Sequence, residues 1–288
     1  MKLQVMKYRK LSYIVSGMFI VLSVLSLFVR GLNYGIDFSG GIAMEVKPIV
    51  QNYGVEQMRT ALEQFKPELQ TVDGNSVLIR LGLPKGATDA TQNERVAEIK
   101  NILGDNVEYT QVQVVGPKIG GELVRGGILA ILFAFVMMAI YVWIRYKGGY
   151  AVGAFVSLFL DFVLMFGFFS ITGLEFNQTA IAVILTGIGY SINDKIVNYD
   201  RIDENVKKYH KMPMGDLIDL SVNEMLRRTM LTSVSTLLAM FGLSLFGGQV
   251  LREFAYAMGF SVIMGTFTSI YISNIMLYHF NLRDADNK

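Results

Sequence analysis

The chain has 288 residues, of which 52% are hydrophobic and 17% are charged, and its formal net charge is +2. This composition is typical of an integral membrane protein, and so small a net charge indicates no nucleic-acid partner. The absence of cysteine excludes disulfides, thiolate metal sites and a cysteine nucleophile. Because its only histidines, His210 and His279, are far apart in sequence, no histidine-built metal site is expected.

The N-terminus carries Lys2, Lys7, Arg9 and Lys10 ahead of an apolar stretch at 11–29. That stretch is longer than the apolar region of a usual signal peptide, and no small-residue cleavage site follows it, so we predict a retained first membrane helix. Six segments are long and apolar enough to span a bilayer. They are residues 11–29, 125–144, 150–171, 177–199, 229–246 and 254–276.

Lysine and arginine are unevenly distributed between the predicted loops. They concentrate in the N-terminal tail, the 145–149 turn and the 200–228 segment, whereas the 172–176 loop has none and the 247–253 loop has only Arg252. The positive-inside rule then places both termini, 1–10 and 277–288, in the cytoplasm. The 200–228 segment is predicted to be amphipathic and to lie along the inner membrane surface.

Residues 31–124 have a different composition, and this topology places them outside the cytoplasm as a periplasmic α+β domain. Ile42, Met44 and Val46 alternate with polar or small residues, which is typical of a strand with one buried face. The predicted elements are a strand at 42–47, a helix at 55–65, strands at 69–72 and 77–83 around an Asp73-Gly74 turn, a helix at 96–103 and a strand at 109–115. The β-α-β-β-α-β order indicates a ferredoxin-like unit. It shows no catalytic constellation, so we interpret it as a binding or positioning module.

The junction after this domain contains Gly116-Pro117 and the sequence KIGGELVR at 118–125. Its two glycines are compatible either with a helix that tilts or hinges or with a plain linker.

The fourth predicted span contains Asn193 and Asp194 before its apolar length is complete. If this stretch is one helix, five small or polar residues lie on one face of it, because they follow one another at steps of four, three, four and three residues. The set is Gly187, Ser191, Asp194, Asn198 and Arg201. An acid on the polar face of a membrane helix is costly and therefore a functional candidate; the alternative is a helix that ends near Ile192 and leaves Asp194 in water.

The other spans also carry small or polar faces. Asp161 follows Gly153 and Ser157 at intervals of four in the third span. Arg228 opens the fifth span and shares a face with Thr232, Ser235 and Thr236. The sixth span has a ladder of small residues four apart, which predicts a close helix–helix contact: Ala257, Ser261, Gly265, Ser269 and Ser273.

Asp194 and Arg228 are predicted to lie at similar depth in the membrane, where they either pair or share water; alternatively, Arg228 anchors in lipid headgroups. The chemistry available to such a pair is proton exchange. Burial favours the protonated carboxyl and a neighbouring arginine favours the ionised one. We therefore expect a proton-linked switch rather than an enzyme, since no P-loop, nucleophile elbow or metal-ligand motif is present.

Five sequence blocks carry a family resemblance. They are GIDFSGG (35–41), GPKIGGEL (116–123), IGYSINDKIVNYDRIDEN (188–205), RRTMLTSVSTL (227–237) and FGG…R…GTFTSIYISN (246–274). Together they resemble the SecF family of the bacterial Sec protein-export machinery, within the resistance-nodulation-division superfamily. The resemblance covers nearly the whole chain. It implies six spans and one periplasmic domain in the bacterial inner membrane.

The resemblance also implies a partner subunit, SecD, and use of the proton-motive force, without a cofactor, to assist a late periplasmic stage of translocation through SecYEG. YajC, YidC, the lipid bilayer and an unfolded preprotein at the periplasmic domain are further expected partners. The family's proton-linked aspartate maps onto Asp194 and its essential arginine onto Arg228. Lys195 and Asn198 depart from the family pattern, which leaves the detailed mechanism open.

Two rival functions are compatible with the residues. The first is an exporter of a small molecule or lipid from the same superfamily, although such exporters usually contain two halves and two large outer domains. The second is a scaffold subunit that moves no protons, which is expected to tolerate Asp194→Asn.

Overall fold

The computed structural model describes residues 3–50, 53–72, 76–83, 89–146 and 148–280. In chain order its elements are α1 (Arg9–Val29), β1 (Asn33–Tyr34), α2 (Ile36–Ser39), β2 (Gly41–Pro48), α3 (Val55–Ala61), β3 (Glu68–Val72), β4 (Ser76–Leu81), α4 (Asp89–Leu103), β5 (Val107–Val115), α5 (Pro117–Arg145), α6 (Gly149–Thr172), β6 (Glu175–Phe176), α7 (Gln178–Lys208), α8 (Met214–Phe246), α9 (Gln249–Phe267) and α10 (Asn274–Leu277). A π-helical turn, Thr268–Ser273, joins α9 to α10.

The chain divides into two compact units. The membrane unit comprises Met1–Asn33, Ile131–Leu174 and Thr179–Lys288, and the α+β unit comprises Tyr34–Ala130 and Glu175–Gln178. Within the described part of the chain, six helices are long and apolar enough to cross a membrane, which is the number predicted from the sequence. They are α1, α5, α6, α7, α8 and the continuous α9–α10 segment.

The largest differences from the predicted membrane spans are at α5, α7 and α8, where the helix extends beyond its apolar part. Helix α5 begins at Pro117, so KIGGELVR is helical and is not a linker. Residues 200–228 do not form a separate element, since α7 continues to Lys208 and α8 begins at Met214. Apolar length locates a membrane span but does not locate the end of its helix. The position of 200–228 on the membrane surface stays a prediction.

The α+β unit contains a four-stranded sheet in the order β3-β4-β2-β5. All neighbouring strands are antiparallel, and Met44 on the central strand β2 faces Ile79 on one side and Val112 on the other. With α3 and α4, the strands follow the predicted β-α-β-β-α-β order. The ferredoxin-like class stays a prediction, and the Asp73-Gly74 turn lies outside the described residues.

The core of this unit is formed by the alternating apolar residues of the strands together with the apolar faces of α3 and α4. It comprises Ile42, Met44, Val46, Met58, Leu62, Val77, Ile79, Leu81, Ile99, Leu103 and Val107. An ion pair between Arg80 and Glu175 also lies within the unit.

Two glycines of the α+β unit permit close backbone contacts. A Cβ added at Gly41 lies 2.7 Å from the carbonyl oxygen of Leu81, and one added at Gly120 lies 3.3 Å from the carbonyl oxygen of Asp37. One glycine of each block, Gly41 of GIDFSGG and Gly120 of GPKIGGEL, therefore belongs to the packing of this unit.

In the membrane unit, α6, α7 and the α9–α10 segment each bury about half or more of their apolar window, whereas α1, α5 and α8 expose most of theirs. Small residues bring α1 against α6, where Ser26 and Ser170 share a hydrogen bond of 2.8 Å and a Cβ at Gly167 meets Ser23. Phe168 of α6 stacks on Phe260 of α9, with ring centroids 4.3 Å apart. Three helices therefore form the interior of the membrane unit.

Candidate functional site

The polar face predicted for α7 is continuous and buried. The helix runs without interruption from Gln178 to Lys208, so the alternative in which it ends near Ile192 is wrong. Gly187, Ser191, Asp194 and Asn198 are buried, and Arg201 is half-buried. The face therefore points into the protein, where each polar atom needs a partner.

A buried ion pair joins α6 to α7. Lys195 is fully buried, and its Nζ lies 2.7 Å from Oδ2 of Asp161, which is itself 5% exposed. Ser191 donates a hydrogen bond to the same oxygen at 2.7 Å and accepts one from Lys195. Thr268, in the π-helical turn, donates to Oδ1 of Asp161 at 2.5 Å. We call Asp161, Ser191, Lys195 and Thr268 the buried cluster.

The sequence placed Asp161 and Ser191 on polar faces but did not pair Asp161 with Lys195, and it did not single out Thr268. Successive residues of a helix point about 100° apart, and the Lys195 side chain pairs with Asp161 and not with the preceding Asp194. The available signal was the four-residue step from Ser191 to Lys195, which puts both side chains on one face of α7.

The small-residue ladder of the sixth span packs against α7, as predicted. A Cβ added at Gly187 lies 2.0 Å from Oγ of Ser261, and one added at Gly265 lies 3.0 Å from Cβ of Ser191. Ser269 donates a hydrogen bond of 3.3 Å to the backbone oxygen of Ser191. These contacts leave no space for larger side chains, so they set the distance at which Thr268 reaches the buried cluster.

At the next turn of the ladder, Ser273 donates a hydrogen bond of 2.7 Å to the hydroxyl of Tyr199. A Cβ at Gly153 lies 2.8 Å from the same hydroxyl. Tyr199 was not a sequence candidate, because an aromatic residue near a helix end has many structural roles.

Asp194 lies beside the buried cluster but outside its hydrogen bonds. It is 4% exposed, and its Oδ2 has no hydrogen-bond partner among the described residues. Nδ2 of Asn198, one turn further along α7, likewise has no hydrogen-bond partner among the described residues. Lys195 and Arg228 both lie close enough to interact electrostatically with Asp194. A buried, unsatisfied carboxyl oxygen is the kind of group that binds a proton or a cation.

Within the described ranges, Asp194 and Arg228 do not form the predicted ion pair. Lys195 is the cation that pairs with a buried acid there, and that acid is Asp161. Arg228 is exposed on α8, and so are Asn193 on α7 and Thr232 on α8. Thr232 uses its hydroxyl to hydrogen-bond the backbone oxygens of Arg228 and Thr229. The site residues thus fall into a buried group around α7 and an exposed polar group.

Together these features define a multi-pass membrane protein with ionisable residues buried between its helices, a class in which such residues mark proton or ion pathways. Two family models match the chain: "Protein export membrane protein SecD/SecF, C-terminal" over residues 95–283 and "SecD/SecF GG Motif" over residues 25–48. The chain therefore belongs to the SecD/SecF family, which confirms the resemblance read from the sequence, and it is a multi-pass protein of the inner membrane.

Curated relatives cover almost the whole chain. The protein translocase subunit SecF of Rickettsia bellii is 41% identical over 279 residues, which are 93% of this chain and 90% of the relative. The SecF subunit of Rickettsia conorii is 38% identical over 291 residues, which cover 98% and 93% of the two chains. The crystal structure of SecDF from Thermus thermophilus matches with a TM-score of 0.85 and 31% identity; it covers all of this chain, which spans 39% of that SecDF chain.

Proposed function

We propose that this protein is a SecF-type subunit that pairs with SecD and uses the proton-motive force to promote a late step of protein export through SecYEG. The observation that carries the proposal is Asp194, a buried carboxyl within a membrane-spanning helix whose Oδ2 has no partner among the described residues. Binding and release of a proton at this oxygen is the simplest chemistry that the site supports.

The exposed group on α8 supports a partner subunit. Arg228, Thr232 and Ser235 are exposed and follow at steps of four and three residues, so they share one face of α8. Within the described part of the chain, the Arg228 guanidinium has no ion-pair partner. A cation on the outside of a membrane helix is costly unless protein or water meets it, and a second six-span subunit, SecD, would supply that contact.

Coupling requires that protonation of Asp194 changes helix packing. Its neighbours Lys195 and Arg228 are both cations, so neutralising Asp194 removes an attraction to each of them. One charge moved across about 100 mV is worth roughly 2.3 kcal/mol. That free energy shifts a two-state equilibrium about 50-fold, which is sufficient to bias one packing over another.

In this proposal both termini are cytoplasmic and the α+β unit is periplasmic, where it contacts an unfolded preprotein. YajC and YidC are further partners. The lipid bilayer surrounds the exposed apolar faces of α1, α5 and α8, apart from the polar group of α8 that meets SecD. The proton gradient is the energy source, and no cofactor takes part.

The test is the rate of preprotein translocation into inverted membrane vesicles that contain SecYEG, SecD and Asp194→Asn, measured with and without a proton gradient. We expect Asp194→Asn to abolish the gradient-dependent part of the rate, because the amide cannot exchange a proton. Asp203→Asn is the matched control: it makes the same chemical change on the same helix, at a half-buried acid paired with Lys207. It should leave the gradient response intact.

Co-purification with SecD verifies that each variant assembles. If assembled Asp194→Asn keeps the full response to the gradient, Asp194 is not the coupling acid and the chain acts as a scaffold.

A further inference from the structure

The buried cluster has the composition of a cation site. Oδ1 and Oδ2 of Asp161, Oγ of Ser191 and Oγ1 of Thr268 come from three helices and converge on one place. The Lys195 ammonium lies 2.7 Å from Asp161 Oδ2, 2.5 Å from Ser191 Oγ and 3.4 Å from Thr268 Oγ1. These three hydrogen-bond partners of the ammonium are all oxygens, and hard cations prefer carboxylate and hydroxyl oxygens.

The negative charge of the buried cluster is balanced by one positive charge. Asp161 carries the only negative charge in the cluster, and Lys195 is fully buried beside it. The neighbouring charged groups are Asp194, the residue before Lys195 on α7, and Arg228, which is exposed on α8. Because an uncompensated charge in the protein interior is costly, the cluster balances with a singly charged occupant and not with a divalent one.

We propose that the Lys195 ammonium occupies the cation position of an oxygen cage, and that removing this side chain turns the cage into a binding site for sodium. In the native protein the lysine acts as a covalently attached cation. It holds α6, α7 and the π-helical turn together at any sodium concentration. The inference concerns Asp161 and Lys195 alone and does not depend on whether Asp194 moves protons.

Thermal unfolding of the purified full chain in detergent tests the proposal. Circular dichroism is recorded in sodium chloride and in choline chloride at equal ionic strength, for the native chain, Lys195→Ala and the double variant Lys195→Ala/Asp161→Asn. In choline chloride, Lys195→Ala should melt roughly 10 °C below the native chain, because it leaves Asp161 buried and unpaired.

Sodium should restore part of that loss in Lys195→Ala only. Above the dissociation constant, each tenfold increase in sodium should raise its melting temperature by about 4 °C, as expected for a ligand that binds only the folded state. The native chain has the site filled by lysine and the double variant has no carboxylate to bind the ion, so neither should respond. No sodium response in Lys195→Ala, or an equal response in all three chains, overturns the proposal.

Lys195→Ser provides a second variant, because its hydroxyl adds one more oxygen to the cage. Its retention of radioactive sodium should exceed that of the double variant, and equal retention overturns the proposal. The proposal also fails if Lys195→Ala and Lys195→Ser do not accumulate in the membranes of cells grown in sodium-containing medium, while Lys195→Ala/Asp161→Asn does accumulate.

Discussion

The contact between Gly187 of α7 and Ser261 of α9 gives the sharpest test of how the polar helices are held together. A Cβ built on Gly187 lies 2.0 Å from Oγ and 2.8 Å from Cβ of Ser261, so Gly187→Ala forces the helices apart or forces Ser261 to move. Overpacking of this kind costs about 1–3 kcal/mol. Alanine recovers about 1 kcal/mol because it favours a helix more than glycine does.

Gly189 on the same helix supplies the matched control. It is exposed, and a Cβ added there has nothing within 4 Å, so Gly189→Ala gains the helix preference without a packing penalty. The difference between the two variants therefore isolates the overpacking term, and we expect Gly187→Ala to be less stable than Gly189→Ala by about 1–3 kcal/mol.

The free energy of unfolding is measured by titrating the purified chain with sodium dodecyl sulfate in mixed micelles and following circular dichroism. Ser261→Gly removes the overlapping atoms, so the double variant Gly187→Ala/Ser261→Gly should recover most of the overpacking penalty. Equal stabilities of Gly187→Ala and Gly189→Ala would show that the two helices are not in contact at this position and would refute the packing described for the ladder.

Two further predictions concern stability elsewhere in the chain. Tyr199→Phe removes the acceptor of the Ser273 hydroxyl, so it should lower the free energy of unfolding by about 1 kcal/mol in the same titration, and an unchanged value would contradict the 2.7 Å hydrogen bond. Met44→Ala leaves a cavity in the core of the α+β unit, where Met44 is fully buried, and should cost about 2–5 kcal/mol and accelerate proteolysis of that unit. The exposed strand variant Gln111→Ala is its control, and equal cleavage rates of the two would refute the core assignment.

The buried cluster is better explained as a feature that selects one arrangement of the helices than as one that raises the free energy of unfolding. Exchanging a buried ion pair for apolar residues is often neutral or stabilising, whereas removing one partner costs about 3–5 kcal/mol. The pair of Asp161 and Lys195 therefore penalises any arrangement of α6 and α7 in which the two charges separate. A small-residue interface such as that of Gly187 and Ser261 permits close approach but does not by itself fix the register between helices.

The sequence by itself determined the local features of this protein. Membrane spans follow from the length of apolar runs, and the strand and helix order of the α+β unit follows from hydrophobic period, since both depend on residues close in the chain. The buried face of α7 was also predictable, because the steps from Gly187 to Asn198 match the helix repeat. The family followed from the sequence blocks and was confirmed by full-length relatives.

Only the tertiary structure decided which charges meet. Asp161 and Lys195 are 34 residues apart and Thr268 is 107 residues from Asp161, so no local pattern indicates their contact. The sequence placed Asp194 and Arg228 at similar depth, where they either pair or share water, but depth does not determine which helix faces are adjacent. Helix packing depends on interdigitation of side chains distant in sequence, and it is this packing that brings Lys195 to Asp161 and leaves Oδ2 of Asp194 without a partner among the described residues.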